Sequence, residues 1–356
     1  MRIASFNVEN LFSRAKVLNF RDNSDGTELL SKIGELRDLL KAKVYTNKTQ
    51  IFNKYMGLKD FIEISEDRGK LFKKSGSAIV GIKANGIDDW DGSILFKRDK
   101  FDDATRGNTA KTIKAVKADI FCIVEVENRE MLSSFNSGLL GSVKFPFNMC
   151  IDGNDARGID VGLFSRFPIK NIRTHIFDKK AANSKPVFPR DCLEVALGIS
   201  KTKTLHIICN HLTSKLSDKT GAKRKFQCGE IKKIIQTNYD LTKDLVVVAG
   251  DFNDTPDTAA LSPLLNMQNL SDVLQLQFGN KKESRWTYQY QNKLDQIDYI
   301  LVSKPLKDVF QQAGVERRGM FELAKHSKGL ENSFNTVTSP ANAASDHGAV
   351  WADFNI

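Results

Sequence analysis

Leu245-Val246-Val247-Val248-Ala249-Gly250-Asp251-Phe252-Asn253 is the stretch on which the fold turns. A β-branched run of this kind reads as a buried strand. Asp251 and Asn253 emerge at its end two residues apart, so both side chains fall on one face. A carboxylate beside a carboxamide at a strand terminus suits metal-assisted phosphate chemistry: one group takes a proton from water, the other donates to a phosphate oxygen. A plain turn, Asn253-Asp254-Thr255-Pro256 capped by Asp251, explains the same residues. The rest of the chain has to decide.

Working outward, strand-like runs recur at Arg2 to Val8, Asp119 to Val126, Gly158 to Ser165, Cys192 to Ile199, Thr204 to Leu212, Leu245 to Gly250, Gln296 to Val302 and Trp351 to Phe354. Amphipathic helical spacing lies between several of them, at Thr109 to Val116 and Lys223 to Tyr239. Strands and helices mixed over the whole length, with hairpin-like neighbours, predict an α/β sandwich of largely antiparallel sheets. Residues 14 to 100 break the step from first strand to first helix. They hold a helical stretch, Leu29 to Leu40, and a hairpin arm, Ser77 to Gly86. We expect one domain over 1–356 carrying about 14–100 as a family-specific insertion, functional or a subdomain rather than an idle loop.

The 356 residues, 41% hydrophobic and 27% charged, have the composition of a globular protein with a sizeable core. No apolar stretch approaches the roughly 20 residues of a membrane helix. The opening Met1 to Val8 alternates like a strand and lacks the apolar segment of a signal peptide, so a cytoplasmic location is expected. Five scattered cysteines, Cys122, Cys150, Cys192, Cys209 and Cys228, form neither a disulfide framework nor a zinc motif. A net charge of +10 favours a polyanionic partner. Basic residues concentrate at Lys41 to Lys74, Lys215 to Lys233 and Arg317 to Lys328.

Further chemical residues end strands as Asp251 does: Asn7, Glu125 and His211, with Ser345-Asp346-His347 just before the last strand. Asp298 lies inside the apolar strand Gln296 to Val302. A buried lone carboxylate is costly, so Asp298 calls for a partner, and His347 fits. Glu127 shares a face with Glu125 and is its rival as a ligand.

In this order and context the residues resemble the endonuclease/exonuclease/phosphatase superfamily, which includes deoxyribonuclease I, abasic-site endonucleases of the exonuclease III type, neutral sphingomyelinases and inositol polyphosphate 5-phosphatases. The likeness spans Asn7 to His347. Ile151-Asp152-Gly153-Asn154-Asp155, followed by Arg157-Gly158-Ile159-Asp160-Val161-Gly162-Leu163, resembles a bacterial subfamily. The resemblance implies a four-layered α/β sandwich, two packed mainly antiparallel sheets flanked by helices, with the active site at one end. It implies a Mg²⁺ ion, with Mn²⁺ as substitute, held chiefly by Glu125 with help from Asp346 and Asn7. Asp251 would orient or deprotonate the attacking water, Asn253 would hold a phosphate oxygen, and His211 and His347, the latter oriented by Asp298, would bracket the phosphate. Val124 stands where the superfamily often has Gln. Asn210-His211-Leu212 is like the deoxyribonuclease I and sphingomyelinase branches, which disfavours abasic-site repair.

Arg157, Asp160 and Arg190 are further candidates for reaching the phosphate, since arginine binds phosphate bidentately, or else for Arg–Asp structural pairs. Asn154 reads as a turn residue. Trp90, Trp286 and Tyr288 are candidates for base stacking or for core packing. His175, His206 and His326 have no motif around them. The expected function is metal-dependent phosphodiester hydrolysis, foremost by a nuclease on DNA. A hydrolase of phospholipids or small phosphorylated molecules is the alternative, although the sequence holds no hydrophobic hairpin or amphipathic anchor. A binding module without activity would be expected to have lost one of these positions.

Overall fold

The computed structural model describes residues 1–11, 15–18, 23–97, 104–155, 157–290, 293–323 and 332–356. The chain divides into two compact units, one of residues 1–12 and 101–356, the other of residues 13–100.

The first unit opens with β1 (Arg2–Leu11). The second unit holds α1 (Asn23–Leu40), α2 (Lys48–Leu58), β2 (Ile62–Gly69), β3 (Phe72–Ser75), β4 (Ala78–Ile82) and β5 (Trp90–Phe96). Helix α2 starts where Asn47 accepts the Gln50 amide at 2.9 Å. Strands β3 and β4 form the hairpin expected from Ser77 to Gly86, and β2 pairs with β5. This unit has its own core of Leu36, Ile51, Ile62, Leu71 and Trp90.

The first unit then continues with α3 (Ala104–Val116), β6 (Ile120–Val126), α4 (Arg129–Leu139), β7 (Phe147–Cys150), β8 (Asp160–Ser165), β9 (Ile169–Arg173), β10 (Leu193–Gly198) and β11 (Thr204–His211). After α5 (Ala222–Asn238) come β12 (Leu245–Asp251), β13 (Leu270–Asp272), β14 (Tyr288–Tyr290), β15 (Lys293–Asp295), β16 (Asp298–Ser303), β17 (Phe310–Glu316) and β18 (Ala349–Phe354). Two six-stranded sheets result, in the orders β17-β18-β1-β6-β8-β7 and β13-β16-β12-β11-β10-β9. Each is antiparallel except for one central parallel pair, β1 with β6 and β11 with β12.

The sequence pattern explains the layering. Along β12, Val247 and Ala249 face the core between the sheets, while Val246 and Val248 face the core beneath α5. Every residue of β12 after Leu245 is buried, because both its faces are covered. Along β6, Ile120, Cys122 and Val124 face the same inter-sheet core, and Phe121 and Ile123 pack beneath α3 and α4. Helix, sheet, sheet and helix make four layers. Each fully buried aliphatic side chain contributes about 1.5–3 kcal/mol relative to exposure.

All eight expected strand runs are strands. The edge strands β7, β13 and β17 carry too few apolar residues to announce themselves. The five cysteines are buried and free. No described helix is long and apolar enough to cross a membrane.

Candidate active site

Strand register assembles the site. On adjacent strands, His211 of β11 stands opposite Asp251 of β12, and Asp251 stands opposite Asp298 of β16. One histidine and two aspartates thus form a row across the end of one sheet. From the other sheet, the Asn7 amide donates to Asp251 Oδ2 at 3.1 Å. His211 Nε2 lies 3.6 Å from Asp251 Oδ2 and 3.9 Å from Glu125 Oε1.

The apex motif is both turn and site. Asp251 Oδ1 accepts the Asn253 N–H at 2.7 Å, and the Asn253 carboxamide donates to the Leu212 carbonyl at 3.0 Å. Arg224 fixes the following residue, its Nε 3.0 Å from Asp254 Oδ2. Gly250 is obligatory here: at φ 138°, a Cβ would stand 1.8 Å from the Asn210 carbonyl oxygen of β11.

His347 arrives on a segment bonded to the start of β14, through Gly348 N–H to the Thr287 carbonyl and Gln289 N–H to the Asp346 carbonyl. Its Nδ1 lies 2.8 Å from Asp298 Oδ2, which also accepts the Thr287 hydroxyl at 2.7 Å. The expected Asp298–His347 partnership is present. The Tyr288 ring lies 4.8 Å from the His347 ring.

Strained backbone marks three acidic or amide residues at this end. Glu9, Glu125 and Asn253 have φ of 48°, 69° and 54°, conformations that cost non-glycine residues about 1–3 kcal/mol. Glu125 is the extra residue of a β-bulge between β6 and β8, and Glu9 lies in an irregularity between β1 and β6. The bulge changes the Glu125/Glu127 comparison. Alternation puts both on one face, but the added residue interrupts it, and Glu125 is the one beside His211. Sequence reasoning missed Glu9, whose Oε2 accepts the Asp346 N–H at 3.0 Å. Irregular backbone carries no periodic signal, so only the acidic residue two positions after Asn7 hinted at it.

The electrostatics divide the groups. Burial, then the Asp298 charge, pushes Asp251 up to about 7. Burial, then the Asp346 charge, pushes Glu9 up to about 7, although its residue surface remains exposed. Burial also raises Glu125 and Asp346. Burial would lower His347, but Asp298, by charge and hydrogen bond, and then Asp346 and Asp251, lift it well above the ordinary value. Burial lowers His211, assisted by Arg190, His347 and Arg157. One histidine is therefore a cation near neutrality and the other a neutral ring.

Carboxylates this crowded are what a divalent cation would relieve. Glu125, Glu9 and Asp346 offer hard oxygen donors with Asn7 alongside, a set that suits Mg²⁺ or Mn²⁺. Asp251, Asp298 and His347 also bring ligand-type atoms within 4.8 Å of one another. There, however, His347 Nδ1 is engaged by Asp298, which favours proton handling over ligation.

The remaining candidates fall in several places. Asp155 bonds Arg157 at 2.8 Å and lies 3.0 Å from Arg190 Nε. Asp160 departs from the expected phosphate contact: it is buried, accepts the Gly153 N–H at 2.7 Å, and is pushed up to about 7 by burial. A carboxyl so engaged braces a loop. Asn154 does more than turn, its amide spanning the Ile176 and Phe188 carbonyls at 2.7 and 3.1 Å. Trp90 and Trp286 are core residues, and Tyr288 alone of the three aromatics reaches the site. Arg317 is buried against Trp286, and Arg318 pairs with Glu316, which removes both from the expected basic loop. His326 lies outside the described residues. His175 is held by the exposed Asp178 and the buried Glu194, and His206 packs on Tyr239.

Known proteins resemble this chain in family and in fold. The Endonuclease/Exonuclease/phosphatase family model matches residues 94–347. No curated protein matches in sequence. Among solved structures, an endonuclease/exonuclease/phosphatase from Bacteroides vulgatus superposes with TM-score 0.50 at 14% identity, covering 71% of this chain and 90% of that one. Truncated Caenorhabditis elegans TDP2 gives TM-score 0.48 at 17% identity, covering 71% and 91%. D. rerio TDP2 complexed with a single-strand DNA product gives 0.49 at 15%, covering 71% and 92%.

Proposed function

The chain belongs to the endonuclease/exonuclease/phosphatase family, whose members are phosphoester-hydrolysing enzymes that use divalent metal ions, and from that membership we propose a Mg²⁺-dependent phosphodiester hydrolase acting on DNA. The observation that carries the reading is the His211–Asp251–Asp298 row closed by His347. The net charge of +10 supports the nucleic-acid substrate. In this reading residues 1–12 and 101–356 are the catalytic domain and 13–100 an insertion into it. Five buried unpaired thiols favour a reducing, cytoplasmic setting.

Glu125, Glu9 and Asp346, with Asn7 beside them, would hold the cation, which supplies Lewis acidity toward a phosphoryl oxygen. Asp251, with a pKa near 7, takes a proton from the attacking water. The P–O bond to the leaving group breaks as the new one forms. Asn253 keeps one amide hydrogen on Leu212 and turns the other to a phosphate oxygen. Cationic His347 and the neutral His211 ring bracket the phosphoryl group and stabilise its developing charge. Arg190, which shares the Leu212 carbonyl with Asn253, and Arg157 contact the phosphate.

A second reading has its own observation. Phe177 and Leu216 are 78% and 89% exposed, on loops carrying Lys179, Lys180 and Lys215. Apolar tips among lysines suit the surface of an anionic membrane, where a phospholipid headgroup would be cleaved.

The deciding experiment incubates the protein and Mg²⁺ with circular plasmid, linear duplex, single strands and phospholipid vesicles, with Asp251→Ala and His347→Ala as controls. Nicking or degradation of DNA that both variants abolish supports the first reading. Headgroup release from vesicles with DNA untouched moves the assignment to the second.

A further inference from the structure

The segment Ile151 to Leu163 is the sequence feature that the catalytic row leaves unexplained. Its described residues ahead of β8, 151–155 and 157–159, form a braced loop. The Asn154 N–H donates to the Pro189 carbonyl at 2.8 Å, and the Asn154 amide binds the Ile176 and Phe188 carbonyls. Gly153 lies against the chain at Arg190: a Cβ there would stand 2.8 Å from Asp160 Oδ1 and 3.1 Å from the Arg190 Cα. The loop and residues 188–191 are thus locked together.

At the tip of this loop, Asp155 faces two arginines. Its Oδ1 accepts Arg157 Nε at 3.0 Å and its Oδ2 accepts Arg157 Nη2 at 2.8 Å. Arg190 Nε lies 3.0 Å from the same Oδ2, and Arg190 is only 5% exposed. That nitrogen has no hydrogen bond of good geometry among the described residues, so charge rather than direction holds it. Arg190 Nη1 donates to the Leu212 carbonyl at 3.3 Å, the acceptor that Asn253 Nδ2 also uses at 3.0 Å. The guanidinium therefore ends beside the catalytic carboxamide, one residue past His211.

We propose that Asp155 is a positioning residue that holds Arg157 and Arg190 as a two-pronged clamp for the phosphate at the catalytic centre. Two guanidiniums this close repel each other, and the shared carboxylate cancels that repulsion while leaving a net positive charge facing the site. Glu125 and Asp251 also act on Arg190 electrostatically, as Glu125 does on Arg157, so both prongs lie within electrostatic reach of the catalytic carboxylates. Arginine suits the task because its guanidinium carries several donors: Arg157 Nη1 and Arg190 Nη2 are the nitrogens not turned to Asp155 or Leu212, and each can donate to a phosphate oxygen. Asp155 touches no substrate and acts through its partners. The proposal rests on the phosphoester reading above.

Calorimetric titration of the Mg²⁺-loaded protein with inorganic phosphate tests it, using Asp155→Ala, Asp155→Asn, Arg190→Ala and the double Asp155→Ala/Arg190→Ala. Expected is about a tenfold loss of phosphate affinity for Asp155→Ala, a smaller loss for Asp155→Asn, and a double variant whose loss falls well short of the sum of the Asp155→Ala and Arg190→Ala losses, since coupled residues are not additive. Additive losses, or unchanged affinity in a folded Asp155 variant, overturn the clamp. Should Asp155→Ala fail to fold, Asp155→Asn decides by the same comparison. A wild type that hydrolyses no phosphoester yet shows the coupled loss supports the clamp and overturns only the catalytic reading. An active wild type whose phosphate affinity ignores Asp155 does the reverse.

Discussion

His347 Nδ1 lies 2.8 Å from Asp298 Oδ2 across 49 positions of sequence, and both are buried. The aspartate fixes the ring's tilt and holds the charge that makes His347 a cation. Asp298→Asn should lower kcat/KM by roughly 10²–10⁴-fold, the range for losing a positioned acid–base group. Adding it to His347→Ala should cost little more than His347→Ala alone, because the two act as one unit. Steady-state kinetics on a phosphodiester reporter read this, and a fully additive double variant would separate the pair.

Glu125 carries backbone strain for the sake of its carboxylate. Chelation by EDTA should abolish activity, and Mg²⁺ should restore it. Glu125→Gln should raise the Mg²⁺ needed for half-maximal rate by at least about tenfold. Glu125→Gly relieves φ 69° and should gain about 1 kcal/mol in urea unfolding without metal while losing activity. A glycine variant that is both active and less stable would remove Glu125 from this role.

Gly250 fails differently. Gly250→Ala drives a methyl group into the Asn210 carbonyl at an unfavourable φ and should cost about 3 kcal/mol or more. Urea denaturation measures it. A cost below 1 kcal/mol would mean that β11 and β12 can part without loss.

Asp160 makes stability depend on pH. Burial pushes its carboxyl up to about 7 from the ordinary 3.8 of the unfolded chain, so between these values the native state binds more protons than the unfolded state. Stability therefore falls as pH rises through that window. Asp160→Asn should remove this slope, leaving the variant relatively better at pH 8 than at pH 5. Urea midpoints at the two pH values test it, and parallel curves for wild type and variant would contradict it.

If DNA is the substrate, its binding constant should fall linearly with the logarithm of salt as counterions are released, while hydrolysis of a small uncharged-tail diester stays nearly flat. Fluorescence anisotropy with labelled duplex gives the slope. A flat DNA slope would favour the phospholipid reading.

The strands were legible because their faces alternate between two apolar cores, and Asp251, His211 and Glu125 because each ends such a run. The Asp298–His347 pair was legible from the cost of a lone buried charge. Glu9 was not, because the irregularity that turns it inward leaves no periodic trace. Asp160 was misread for a related reason: residue type suggested phosphate contact, while its direction depended on where Gly153 came to rest. Arg317 looked like part of a basic loop, yet the Trp286 ring and carbonyl took it into the interior.

The sequence by itself determined an α/β sandwich of largely antiparallel sheets and the strand-end placement of most candidate site residues, since burial periodicity and the cost of isolated charges are local properties of the chain. The four layers came from the family resemblance. Only the tertiary structure decided which carboxylates face one another and which histidine carries the proton. Those follow from cross-strand register, two bulged glutamates and the shared Leu212 carbonyl, which depend on distances between segments far apart in the chain.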